Sequence, residues 1–246
     1  AVLTSAGPDL PLADLLPGIE VHLVESAKTT RIRNIYGEDR RRQFVPQRAA
    51  ELTAEHRPNG WSQTPVVLLG PVMGEVQESL ARCFSGSLIG AGAQGWLRKV
   101  AANKSVRQLA PAEWDARPIL RHSRVLFISD EDVPRGEVPP ALQFWSGMVQ
   151  TIAFTRGYGG ADVGPRGEWR HIDAFPVTRV VDPTGAGDVF AAAFLIRLRE
   201  SGDVWRATRF AACAASFTVE GYGTAAIPDR ERIEARLREH PDIRAA

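Results

Sequence analysis

The stretch Val180-Val181-Asp182-Pro183-Thr184-Gly185-Ala186-Gly187-Asp188 combines the parts of an anion site with a carboxylate beside it. Two valines end a strand. Gly185, Ala186 and Gly187 form a tight turn, where missing or small side chains let the backbone approach a ligand closely. The run from Val189 to Ile196 then reads as a helix that is apolar nearly all round, and such a helix is buried. The first N–H groups of a helix lack intrahelical acceptors and carry the positive end of its dipole. A phosphate group fits such a turn. Asp188 sits at the same terminus. Its carboxylate has two uses open to it: capping the helix, or accepting the proton of an attacking hydroxyl. Phosphoryl transfer needs a positioned base and fixed dipoles around the developing charge.

A second glycine cluster points to different chemistry. Gly90-Ala91-Gly92-Ala93-Gln94-Gly95 is a literal Gly-x-Gly-x-x-Gly after a short strand, and Asp115 lies twenty residues beyond Gly95. A dinucleotide-binding fold uses that spacing, which makes an NAD-dependent oxidoreductase a rival reading. The following run, Trp96-Leu97-Arg98-Lys99-Val100, is a poor helix start for a pyrophosphate. The five histidines are scattered, and none is placed in sequence like a hydrolase triad member.

These groups need elements to hold them. Val66 to Leu69, Val125 to Ile128 and Thr151 to Phe154 are short apolar runs that end at turn residues, as buried strands do. Ser87-Leu88-Ile89 follows a candidate helix from about Val76 to Cys83. Helical stretches separate the strand runs. That alternation specifies an α/β protein, with a mainly parallel sheet covered on both faces. From Val21 to Val45 the pattern changes to extended, β-branched and charged. It reads as a hairpin turning at Gly37-Glu38-Asp39 and projecting from the main sheet. The run Arg40-Arg41-Arg42 beyond that turn either touches an anionic substrate or forms the solvated face of an edge strand. A last helix is expected from about Asp229 to Arg238.

Asp182-Pro183-Thr184-Gly185-Ala186-Gly187-Asp188 closely resembles the carboxy-terminal signature of the ribokinase-like (PfkB-type) carbohydrate kinases. The resemblance implies a three-layer αβα sandwich with a small β-lid, here about residues 18–47. It implies that Gly185, Ala186 and Gly187 form the hole for the transferring phosphoryl group, with Asp188 as the base. Phe154 to Ala161 is similar to the family's Thr-x-Gly-x-x-Gly segment. That likeness places Thr155, Gly157 and Gly160 at the nucleotide, together with Thr184. Ser129-Asp130-Glu131-Asp132 stands where the family has Asn-x-x-Glu. Asp132, with Glu131 as its rival, is thereby implied at the magnesium, and Asp182 near a monovalent cation. Arg209 to Ala215 resembles the small-residue helix under the adenine, which brings in Ala212, and Gly223 lies where members close the pocket. Tyr158 and Tyr222 sit in glycine-rich loops; ordinary packing within the loop is the expectation, and flanking the adenine is the alternative.

The resemblance reaches forward through Gly95-Trp96-Leu97-Arg98, Lys28-Thr29-Thr30 and Ser5-Ala6-Gly7-Pro8-Asp9. Ser26 to Thr30, with the signature, is similar to the inositol-kinase-like branch. Family members carry a first strand and a Gly-Gly motif ahead of this point. Neither is in the sequence, which reads as a single kinase domain over 1–246 apparently lacking that first strand; a missing upstream segment is expected rather than a natural deletion, because a sheet without it would expose ladder groups and apolar surface.

Composition narrows the partners. Thirty Lys and Arg against 29 Asp and Glu leave a net charge of +1, which offers nothing for a polyanion such as DNA. No apolar run approaches the ~20 residues of a membrane span. Cys83 and Cys213 have no metal-ligand spacing and fit a reducing cytoplasm. The expectation is an ATP- and magnesium-dependent kinase, cytoplasmic, a monomer or homodimer, phosphorylating a hydroxyl of a small sugar or polyol. A kinase-like protein that only binds its ligand is the non-enzymatic alternative.

Overall fold

The computed structural model of the protein describes residues 1–36, 41–134 and 136–246. The Gly37-Glu38-Asp39 turn and Arg40 therefore lie outside the described residues. In chain order the elements are β1 (Val2–Ala6), α1 (Leu12–Leu15), β2 (Val21–Glu25), β3 (Arg31–Tyr36), β4 (Arg41–Gln47), β5 (Val66–Leu69), α2 (Glu78–Arg82), β6 (Leu88–Gly92), β7 (Arg98–Val100) and β8 (Val106–Gln108). Then come α3 (Arg117–Leu120), β9 (Val125–Ser129), α4 (Val138–Ser146), β10 (Thr151–Thr155), β11 (Ala161–Pro165), β12 (Arg170–Ile172), α5 (Ala186–Ser201), α6 (Val204–Thr218) and α7 (Arg230–Glu239).

Six strands form the central sheet in the order β12-β11-β10-β9-β6-β5. The β5, β6, β9 and β10 strands run parallel; β11 and β12 continue the sheet antiparallel. Strand side chains alternate between faces. In β9, Val125 and Phe127 join the core beneath α5 and α6, while Leu126 and Ile128 join the core beneath α4. In β10, Ala153 faces the first core, and Ile152 and Phe154 face the second. Two buried faces on one sheet make three layers, the αβα sandwich expected.

The antiparallel β11–β12 edge was not legible as strand. The helix after the signature, α5, buries Phe190, Ala191, Ala193, Phe194, Leu195 and Leu198, but leaves Ile196 at the surface. It is therefore buried along one broad side only.

The extended stretch from Val21 to Val45 divides. β2 pairs in parallel with β1, Val2 opposite Val21, in a two-stranded sheet of its own. The hairpin proper is β3–β4. A second hairpin, β7–β8, is joined to it: the amide of Val45 donates to the carbonyl of Lys104 at 2.8 Å, and Phe44 bridges Ser105. The projecting β-element thus has two hairpins, the second from a segment nearly sixty residues later.

The glycine cluster at 90–95 is used for packing. Gly90 and Gly92 lie inside β6, and no helix follows before β7. A Cβ on Gly90 would meet Leu195 Cδ1 and Phe127 Cε2 at 2.7 Å, and one on Gly95 would meet the Pro71 carbonyl at 2.3 Å. These glycines are where α5 and the Pro71 backbone press close. The dinucleotide reading fails here, because no helix terminus stands behind the turn.

Candidate active site

Gly185 is the N-cap of α5, in the left-handed conformation at φ +85° that glycine adopts without strain. The Asp182 carboxylate accepts the Thr184 amide at 2.9 Å, a bond that holds the turn and lowers the pKa of Asp182. Ala186 closes the turn by donating to the Pro183 carbonyl at 3.2 Å. Gly187 lies in the first helical turn, where glycine is unfavourable. A Cβ there would meet no atom within 4 Å. Nothing inside the protein needs a glycine at that position, so the open space above it suits a group from outside.

No side chain caps α5, so the Asp188 carboxylate is not consumed as a cap. Asp188 is exposed at the helix terminus, yet protein atoms around its carboxyl partly desolvate it and raise its pKa. The nearby Asp132 carboxylate adds to the rise and the Arg98 guanidinium opposes it. Three ionisable groups from three distant segments therefore converge: the start of α5, the loop after β9 and the start of β7.

Asp132 is buried, with 7% of its surface exposed. Its Oδ2 accepts from the Ser129 amide at 2.8 Å and the Ser129 hydroxyl at 2.9 Å, and its Oδ1 accepts from Gln94 Nε2 at 3.1 Å. Ser129 and Asp132 thus form a bonded pair at the end of β9, the positions of the family's Asn-x-x-Glu. Glu131 is exposed next to them.

Asp132 forms part of the wall of a cavity of about 550 Å³. The two hairpins supply most of the remaining walls: Arg42, Gln43 and Phe44 from β4, and Arg98, Asn103, Ser105, Val106 and Gln108 from β7–β8. Gln94 and Glu131 complete it. Of the three-arginine run, Arg42 therefore faces the cavity. Sequence reasoning missed Gln94, Asn103 and Gln108. The one local signal was the Gly95 to Arg98 resemblance, which carried no role for its arginine.

The other implied residues lie on separate elements. Thr155 ends β10, and its hydroxyl reaches the Ile128 carbonyl only at 3.5 Å. Gly157 and Gly160 both have positive φ, at +54° and +79°. They differ in cause. A Cβ on Gly160 would lie 2.0 Å from the Ile172 carbonyl, so the fold itself requires that glycine, whereas Gly157 faces open space. Ala212 lies in α6 within the core beneath the sheet. Gly223 has a φ of +56° and also faces open space. Tyr158 is fully exposed and Tyr222 is 74% exposed, so neither packs in its loop.

Among the described residues, no group of three or more His, Cys, Asp or Glu is arranged to hold a metal alone. Magnesium seldom uses such a cage; it keeps waters and takes one or two carboxylates plus substrate phosphates. The donor set here, Asp132 with Glu131 beside the open turn at Gly187, fits that pattern. No described helix is long and apolar enough to cross a membrane.

Comparison with known proteins agrees with this geometry. Residues 137–230 match the pfkB family of carbohydrate kinases. The chain is 32% identical over 99 residues to ketohexokinase of Mus musculus, covering 37% of this chain and 33% of that protein. It is 46% identical over 67 residues to ribokinase of Bacillus subtilis, covering 27% and 22%. The matched stretches thus span about a third or less of these curated relatives. Among solved structures, a pyrophosphate-dependent kinase of the ribokinase family superposes with a TM-score of 0.78 at 23% identity, covering 95% of this chain and 84% of that one. The chain has the ribokinase fold, and its residues 137–230 carry the match to the pfkB carbohydrate kinases.

Proposed function

We propose that the protein transfers a phosphoryl group from ATP to a hydroxyl of a small sugar or polyol. The observation that carries this reading is the uncapped carboxylate of Asp188. It stands in the first turn of α5, at an open glycine turn, and feels the charges of Asp132 and Arg98, two residues of the polar cavity's wall.

The acceptor lies in the cavity, under the two hairpins. Asp188 takes the hydroxyl proton as that oxygen attacks, and its raised pKa makes it a better base than an ordinary carboxylate. The turn of Gly185, Ala186 and Gly187 at the start of α5 faces the phosphoryl oxygens, where charge develops. Thr155, Gly157, Thr184 and Gly223 line the donor side, and Ala212 lies under it. Asp132 and Glu131 would hold magnesium, directly or through water, and the metal when bound neutralises phosphate charge. Asp182, an anion kept ionised by Thr184, is the position for a monovalent cation. The hairpins exclude water from the transfer, which limits wasted hydrolysis of the donor. On this reading the chain is a single kinase domain with the two hairpins as its lid.

A second reading differs only in the donor. Tyr158 and Tyr222 are exposed, so neither makes a closed base pocket, and the solved neighbour at TM-score 0.78 uses pyrophosphate. Pyrophosphate needs the anion turn and the metal but no base pocket.

The test is phosphorylation of a panel of sugars and polyols with magnesium and either ATP or pyrophosphate. Acceptor-dependent donor cleavage supports a kinase, and the active arm names the donor. Donor binding with no turnover on any acceptor would assign the protein to the ligand-binding alternative.

A further inference from the structure

The backbone that leads into the anion turn belongs to no strand or helix. β12 ends at Ile172 and α5 begins at Ala186, so residues 173–185, Val180 and Val181 among them, lie outside both. Backbone without a ladder needs other partners to keep one position. Among the described residues, the hydrogen bonds from 174–182 to the rest of the protein all end on Val219 and Glu220, just past α6. The Val219 carbonyl, at the C-cap of that helix, has no intrahelical donor. It accepts the Val181 amide at 2.7 Å and the Asp182 amide at 3.2 Å. Just upstream, the Thr178 amide donates to Glu220 Oε1 at 2.8 Å.

Glu220 is itself held. Its Oε2 accepts from Arg236 Nη2 of α7 at 2.9 Å, so each carboxylate oxygen has its own donor. Arg236 Nη1 donates to the Ser216 hydroxyl at 2.7 Å, and its guanidinium lies over the Phe217 ring, 3.4 Å from the centroid. An aromatic face and two hydrogen bonds fix the plane of this cation. Only 16% of the Arg236 side chain and 20% of the Glu220 side chain are exposed, so salt screens this pair less than a surface pair. Burial alone would raise the Glu220 pKa, but the Thr178 amide and the Arg236 guanidinium outweigh it and hold the carboxyl below its ordinary value. The clamp is therefore charged at neutral pH. A second ion pair on α7 lacks this connection: Arg230 bonds both oxygens of Glu200 and joins α7 to α5 without reaching residues 174–182.

Glu220 also stands at the root of the loop that carries Tyr222 and Gly223. One ion pair thus ties together two loops that the kinase reading puts on the donor side. We infer that Glu220, held by Arg236, is a positioning residue for phosphoryl transfer, fixing the Asp182–Gly187 turn against the end of α6. The inference rests on the kinase reading for the word transfer, but the clamp itself does not require turnover. The cavity walls come from other segments, so acceptor binding does not depend on it. A small displacement of groups that meet the transferring phosphoryl costs rate before it costs fold.

The experiment compares the full chain with Glu220→Met, Arg236→Met, Arg236→Lys and, as a control on the same helix, Arg230→Met. Backbone hydrogen exchange is measured on each, with initial rates under magnesium, the active donor and its acceptor. In Glu220→Met and Arg236→Met the Val181, Asp182 and Thr184 amides are expected to exchange roughly tenfold or more faster, while the interior of α5 keeps its protection. Their kcat should fall roughly 10- to 100-fold, with the acceptor KM within about twofold of the parent. Arg236→Lys keeps a cation against Glu220 and should recover part of that kcat. Arg230→Met should leave both readouts near those of the parent. If the parent turns over no acceptor, faster exchange with weaker calorimetric binding of magnesium pyrophosphate in Glu220→Met would sustain the clamp while sinking the kinase reading. Unchanged exchange at these three amides, a kcat loss no larger than that of Arg230→Met, or an Arg236→Lys variant no better than Arg236→Met would each overturn the inference.

Discussion

The buried carboxylate of Asp132, bonded to Ser129 through both backbone and hydroxyl, repels negative charge on Asp188 across the junction of β9 and α5. The two residues are 56 positions apart, and each alone has an ordinary structural use. Together they give the start of α5 a carboxyl whose charged form is disfavoured in the folded protein. That is a cost to stability and a gain in basicity.

The cost has a pH signature. In the unfolded chain Asp188 titrates near 3.8, and in the folded protein above it. Between the two values the folded state binds more protons, so stability from this group falls as pH rises through that window and stays lowered above it. Asp188→Asn is therefore expected to melt at a higher temperature than the parent at pH 7, in metal-free buffer. The difference should shrink towards zero below pH 4. Thermal melts from pH 3.5 to 8 check this, and a variant less stable at neutral pH would show that the carboxylate is held by a partner.

Gly187→Ala separates the fold from the site. Alanine gains helix propensity of roughly 1 kcal/mol over glycine, and its Cβ meets no protein atom. The variant is expected to gain up to about 1 kcal/mol in denaturant melts. Its methyl group would occupy the approach to the turn, so donor affinity and kcat should fall at least roughly tenfold, the loss from one displaced transition-state donor. Unchanged kinetics would mean that no phosphoryl group comes to this turn.

Gly160 makes the opposite prediction. Its Cβ would lie 2.0 Å from the Ile172 carbonyl, at a positive φ. Gly160→Ala should destabilise the β10–β11–β12 edge by roughly 2 kcal/mol or more, through overpacking and backbone strain together. Gly157→Ala has the strain without the clash and should cost about 1 kcal/mol. Equal destabilisation in both would contradict the structural cause assigned to Gly160.

The contrast between these glycines shows what the sequence can disclose. The signature from Asp182 to Asp188 is contiguous, so one local turn–helix unit makes the anion turn and the motif could be read directly. The strands at β5, β9 and β10 were legible because parallel strands buried on both faces leave uninterrupted apolar runs. The cavity was not legible. Its walls come from residues 42–44, 94–108 and 131–132, and only the register between the two hairpins brings them together. Polar residues such as Gln94 and Gln108 resemble any solvated turn until a partner fixes their amides. The glycines from Gly90 to Gly95 misled for a related reason. Spacing alone cannot tell a glycine that admits a ligand from one that admits Leu195 or Pro71.

The hairpin junction is the remaining structural claim about the cavity. Val45 and Lys104 share a backbone bond, and Arg107 forms a two-pronged ion pair with Glu113 at 2.8 and 2.9 Å that pins β8. This pair holds the Glu113 carboxyl down to about 2, so it persists through neutral and mildly acid pH. Arg107→Ala is expected to speed hydrogen exchange in β7 and β8 with little change in global stability, since the pair is solvent-exposed and screened. Acceptor KM should rise while kcat holds.

The central claim is that Asp188 is the base of a phosphoryl transfer. The direct measurement is kcat of Asp188→Asn with magnesium, the active donor and its acceptor, beside calorimetric titration of both ligands. The account predicts a loss of roughly 10²- to 10⁴-fold in kcat, with donor and acceptor affinity nearly unchanged. A variant that keeps most of its turnover would contradict it.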